Sequence, residues 1–138
     1  MSDFDRFIEE LQKQISERER ALYSEQVIAH AHNPRNLGRL ERPDRSAVLT
    51  GWCGDTMEFY LRVGRGGDIQ EVAFMTDGCG PTVACGSMLS SMVKGMSLEE
   101  ALSISPQELI TALNGLPQES AHCAELAVKT LRQAIVRE

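Results

Sequence analysis

The sequence predicts an α+β domain: a small three-stranded antiparallel sheet with helices packed on one face, plus an N-terminal helix. Three observations carry this. Alternating apolar residues are confined to the middle of the chain. Helical spacing and capping signals fill the chain from about residue 80 onward. A separate amphipathic stripe occupies residues 3–20. Strands first and helices afterwards place the helices together on a sheet whose strands pair as hairpins.

Residues 3–20 read as a helix because Phe4, Phe7, Ile8, Leu11 and Ile15 recur at helical spacing with charge between them. "YSEQVIAHAHN" reads as a second, short helix that ends before Pro34, and "NPRNLGRLERPD" as loop. Strands are expected over 46–51, 56–64 and 69–76. In "TMEFYLRV", Met57, Phe59, Leu61 and Val63 share one face. "GRGGD" closes a hairpin to "IQEVAFMT". "TVACGSMLSSMVKG" is a helix that stops at Gly95. "SLEEA" opens with a capping box, Ser97 with Glu100, and "SPQEL" repeats the device with Ser105, Pro106 and Glu108. After "GLPQES" a last helix is expected from about residue 119 to the end. No internal repeat or low-complexity tract interrupts this order.

The 138 residues suffice for one domain with a core, and 42% hydrophobic with 25% charged residues is ordinary globular composition. A net charge of -6 argues against nucleic acid as a partner, because phosphate binding needs a basic face. No apolar run approaches the roughly 20 residues that span a bilayer, so no membrane partner is expected. The acidic start "MSDFDRFIEE" has neither the apolar core of a secretory signal nor the arginines of a transit peptide. A cytoplasmic location is expected. There, four cysteines read as thiols, ligands or catalysts sooner than as disulfides.

Cys79, in "TDGCGPTVACG", lies where a strand gives way to a helix, flanked by Gly78 and Gly80. The glycines permit close approach by another group, and a helix N-terminus favours a thiolate. The alternative is a turn cysteine with no role. Cys53, in "GWCGDT", is again beside a glycine, and Asp55 follows two residues later. That triplet can aim a thiolate and a carboxylate at one point, although an Asp before a strand also serves as a turn residue. Cys123 opens the last helix and shares a face with Leu126, Ala127, Leu131 and Ala134, so it reads equally as a ligand or as the first rung of a core stripe. His122 points roughly 100° away from it and is expected to stay neutral. Cys85 shares a face with Met88, Leu89 and Met92 and reads as core. His30 and His32 are two apart on a helix, do not face each other, and read as surface or packing residues. Trp52 is expected to pack beside the Cys53 loop.

No Cys-x-x-Cys pair is present. Three separated thiols with an Asp and a His nearby suggest a composite site, and soft sulfur ligands suit zinc or an iron–sulfur cluster. One oxygen ligand among thiolates makes a cluster easier to release, which suits a carrier. A thiol enzyme with Cys79 as nucleophile and His122 as base is a third reading, but no oxyanion-hole or pocket motif accompanies it.

At about residues 22–137 the chain resembles the iron–sulfur cluster assembly scaffolds of the IscU/NifU N-terminal type. Four ordered segments carry the resemblance: "YSEQVIAHAHNPRNLG", "GWCGDTMEFYLRV", "FMTDGCGPTVACGSMLSSMVKGMSLEEAL" and "GLPQESAHCAELAVKTLRQAI". It implies a scaffold domain over 22–138 preceded by an N-terminal amphipathic extension over 1–21. It implies a scaffold, not an enzyme, that builds a [2Fe–2S] cluster from iron and from sulfur delivered as persulfide by a cysteine desulfurase. An electron donor such as a ferredoxin assists, and the cluster passes to apo-proteins. By position, Cys53, Asp55, Cys79 and Cys123 match the family's cluster ligands, Asp55 being the one whose removal stabilises the cluster. His122 matches the histidine beside the last cysteine, and either it or Asp55 is the fourth ligand. Cys123 is the implied first persulfide acceptor. The same set can hold zinc in the isolated protein. The alternative reading is accordingly a zinc-bound, SufU-like sulfur acceptor that stimulates a desulfurase. That branch carries an insertion between its second and third cysteines and lacks the histidine, whereas this chain lacks the insertion and has His122.

The chain departs from the family's chaperone-docking "LPP-K". Leu116, Pro117, Gln118, Glu119 and Ser120 lack its second proline and its lysine, so docking of the Hsp70-type chaperone does not carry over. Cys85 stands where many members have serine. The stripe on residues 1–20 has three candidate docking surfaces: the body, a second subunit in a homo-oligomer, or the desulfurase.

Overall fold

A computed structural model describes residues 2–136. The first helix, α1 (Asp3–Leu22), starts from a full capping box between Ser2 and Asp5. None of its residues is buried, and Phe4, Phe7, Leu11 and Ile15 all face solvent. Its tie to the next helix, α2 (Glu25–His32), includes Glu19 against His32 Nε2 at 2.9 Å. Ser24 caps α2, which buries Val27 and His30. His30 Nδ1 meets Ser87 Oγ at 2.6 Å. Burial, then the charge of Arg35, lowers its pKa, so the ring is held neutral.

The sheet runs β1 (Arg45–Thr50), β2 (Thr56–Val63), β3 (Ile69–Thr76) in that order, antiparallel throughout. Phe59 lies opposite both Ala47 and Phe74, and all three are buried. Met57, Phe59 and Leu61 form the inward face expected from the alternation, while Val63, after the bulge at Arg62/Val63, is only half-buried. β2 stops one residue early because Gly64 enters the turn and donates its N–H to Asp68. Part of the expected loop after α2 runs along the edge of β3: Phe74 N–H donates to Asn36 and Gly38 N–H donates to Phe74. That pairing covers an edge otherwise open to another chain.

α3 (Gly80–Val93) lies on β3, close enough that a Cβ at Gly86 would sit 2.4 Å from the Phe74 ring. α4 (Leu98–Leu102) shows the Ser97–Glu100 capping box. At α5 (Pro106–Ala112) only half of the expected device forms. Ser105 caps the Glu108 N–H, but the Glu108 carboxylate meets the Ser105 hydroxyl and not its backbone. The last segment begins with a 3₁₀ turn, Gln118–Ser120, before α6 (Ala121–Val136). Its expected run to the end falls, at residues 137 and 138, outside the described residues. Cys123, Leu126, Ala127, Leu131 and Ala134 are buried on one face of α6 against β1 and β2. Each leucine so buried contributes about 1.5–3 kcal/mol. Among the described residues, no helix is long and apolar enough to cross a membrane.

Candidate metal centre

The β1–β2 turn and the β3–α3 turn meet at one end of the sheet. Gly51 N–H donates to the Asp55 carbonyl at 2.8 Å, and Gly54 N–H donates to Gly51 at 3.0 Å. Gly54 takes φ +94°, a conformation that glycine adopts without strain. This tight turn carries Trp52 and Cys53 out into solvent. Thr56 N–H donates to Asp77 Oδ1 at 2.7 Å, and the Thr76 hydroxyl donates to the Thr56 carbonyl at 2.6 Å. These bonds fasten the Cys53 turn to the segment that leads into Cys79.

Cys79 is the N-cap of α3, with extended backbone and no side-chain capping bond. Its thiol is exposed and not spent on the helix. Cys123, in the first turn of α6, is only 2% exposed. Burial pushes its thiol pKa up, a hydrogen bond from Thr82 works the other way, and neighbouring Cys79, Asp55 and Cys53 reinforce the rise. Cys85 is in the core, and burial raises its pKa far above the usual thiol range.

Thr82 links the set. Its hydroxyl donates to Asp55 Oδ2 at 2.9 Å, lies 3.2 Å from Cys123 Sγ, and lies 4.0 Å from Cys79 Sγ. A hydroxyl has one hydrogen, and the carboxylate takes it most strongly. Cys123 Sγ is the second acceptor within reach of the same hydroxyl. Sequence reasoning passed over Thr82 as a helix residue. The available signal was its i+3 spacing from Cys79, which places the two on one face.

His122 Nε2 is 3.7 Å from Cys123 Sγ. Trp52, expected to pack beside the loop, is 84% exposed, and its contact is the His122 ring, 5.0 Å between centroids. His30 and His32 bind Ser87 and Glu19 and stand apart from this site. Among the described residues, no three His, Cys, Asp or Glu side chains are gathered closely enough to hold a metal ion as they stand. The donor set itself, thiols with one carboxylate and one imidazole, fits zinc or an iron–sulfur cluster.

The NifU-like N-terminal domain model matches residues 22–137. The chain is 41% identical over 116 residues to iron–sulfur cluster assembly scaffold protein IscU 1 of Archaeoglobus fulgidus, covering 83% of this chain and 75% of that one. It is 42% identical over 118 residues to the scaffold protein IscU of Haemophilus influenzae, covering 82% and 92%. Its fold is similar to the crystal structure of a nitrogen-fixing NifU-like protein, N-terminal part, from Brucella abortus. There the TM-score is 0.65 at 20% identity, covering 81% and 90%.

Proposed function

The chain belongs to the NifU-like N-terminal domain family, and from that premise we propose how its cysteine end works. The protein is an iron–sulfur cluster assembly scaffold and not a turnover enzyme. Its cargo is a [2Fe–2S] cluster held by Cys53, Cys79 and Cys123 as thiolates, with Asp55 as the fourth ligand. The observation that supports this reading is that Asp55, Cys123 and the exposed Cys79 surround one hydroxyl, Thr82, with the exposed Cys53 on the turn that carries Asp55. Exposure suits a thiol that meets iron, sulfur and an acceptor in turn. Asp55 reaches Cys123 through the shared Thr82 hydroxyl, and His122 stands 3.7 Å from the same thiol. Asp55 is the fourth ligand of this proposal because its oxygen suits a cluster that must be released. A carboxylate is the weakest soft-metal ligand of the group, and it makes the cluster releasable.

Sulfur arrives as persulfide from a cysteine desulfurase, electrons from a ferredoxin-type donor, and the finished cluster leaves to apo-proteins. Cys123 is the least accessible of the three ligands, so its service as first persulfide acceptor requires the first turn of α6 to open. Residues 22–138 act as the scaffold domain, and residues 1–21 as an extension. The cytoplasm is the compartment in which free thiols of this kind persist. Zinc is a second occupant of the same four ligands, since it takes sulfur and oxygen donors tetrahedrally. The test is the lifetime of the reconstituted cluster in air, followed by its visible absorption. Asp55→Ala is expected to prolong that lifetime. Decay at the wild-type rate contradicts the role given to Asp55.

A further inference from the structure

Thr82 is a fully buried polar side chain for which the ligand set alone gives no reason. A threonine inside a helix ordinarily bonds back to the carbonyl four residues earlier. Thr130 does so, donating to Leu126 at 2.7 Å. Thr82 stands in the first turn of α3, where the residue four earlier, Gly78, lies outside the helix. Its hydroxyl turns instead onto Asp55, which is 27 residues away, with Cys123, 41 residues away, beside it. The space for this contact comes from Gly78. A Cβ there would sit 2.7 Å from Thr82 Cβ and 2.8 Å from Asp55 Oδ2.

We propose that Thr82 is a positioning residue of the metal and cluster site, holding Asp55 by Oδ2 and leaving Oδ1 free to serve as the ligand atom. The inference rests on the site reading above. A carboxylate has two oxygens, and a bond to one fixes the plane and direction of the other. Hydrogen-bond partners of this kind orient metal ligands, and their loss weakens metal binding about 10–100-fold. Thr82 itself does not touch the metal.

The test uses the full metal-free chain and Zn²⁺ alone, with affinity read by competition against a chromophoric chelator. Thr82→Val keeps the shape and removes the hydroxyl, and is expected to bind zinc about tenfold more weakly. Thr82→Ala is expected to match it, and Thr82→Ser to restore wild-type affinity. In an Asp55→Ala background, removing the hydroxyl is expected to change little, because the two groups act as one. Gly78→Ala keeps the hydroxyl but crowds the pair, and is expected to weaken binding in the same direction even if the valine variant folds poorly. An unchanged or tighter affinity in Thr82→Val and Thr82→Ala overturns the proposal. So does a loss that persists undiminished without Asp55. Wild-type protein that takes no zinc contradicts the site reading itself. Wild-type binding with no effect of Thr82 contradicts only the positioning role.

Discussion

The first turn and the middle of α3 put the same residue types to opposite uses. Cys79 stands at the N-terminus, exposed and free of capping bonds, whereas Cys85 six residues later is 0% exposed. The glycines divide in the same way. Gly78 makes room for the Thr82–Asp55 contact, and Gly86 makes room for the Phe74 ring. The first turn is shaped by groups that must be presented, and the rest of the helix by groups that must be buried. Reactivity here is therefore a matter of position in the fold and not of residue type.

The sharpest way to break that comparison is alkylation of the metal-free protein at neutral pH, read by peptide mass spectrometry. Cys53 and Cys79 are expected to react roughly a hundredfold faster than Cys85, which is reached only through opening of the core, with Cys123 between them. Equal labelling of Cys79 and Cys85 would falsify the division.

The glycines come next. Gly86→Ala drives a methyl into the Phe74 ring and is expected to cost about 1–3 kcal/mol in urea unfolding. Gly78→Ala puts a methyl 2.7 Å from the buried Thr82 Cβ and 2.8 Å from Asp55 Oδ2, so it too is expected to lose stability, and unlike Gly86→Ala to weaken zinc binding. Equal loss of zinc affinity in both variants would contradict the division.

The smallest effect concerns alkaline pH. Burial keeps the Cys85 thiol protonated in the fold well above its ordinary value of 9.0. In the unfolded chain it ionises at that ordinary value. The folded state then holds the extra proton, so stability is full below this value and declines as pH rises above it, by up to about 1.4 kcal/mol per pH unit. Cys85→Ala removes this share of the slope. Parallel losses in both proteins between about pH 8 and about pH 10 would contradict the assignment.

Much of the fold was legible because it depends on local periodicity. β1 and β2 lie within one residue of expectation, β3 matches, and the α6 stripe is buried as its spacing implies. What escaped depends on neighbours distant in sequence. Periodicity shows that α1 has an apolar face, but not that the described structure leaves it uncovered. It flags Thr82 as helical, but not that two other segments converge on its hydroxyl. Trp52 is expected from the sequence to pack beside the Cys53 loop, while the tight turn built on Gly54 lifts it into solvent beside His122. Cys123 was equally ligand or core from its spacing. The structure makes it both buried and adjacent to the site, because the helix that delivers it is also the one that closes the core.

The most direct measurement is the iron and acid-labile sulfide content of anaerobically reconstituted wild type, Cys79→Ser and Cys85→Ala, taken with their visible spectra. The account predicts equal iron and sulfide with sulfur-to-iron charge-transfer bands in wild type and Cys85→Ala, as a [2Fe–2S] cluster requires, and their loss in Cys79→Ser. Full cluster in Cys79→Ser, or wild-type protein that takes only zinc and no sulfide, would contradict it.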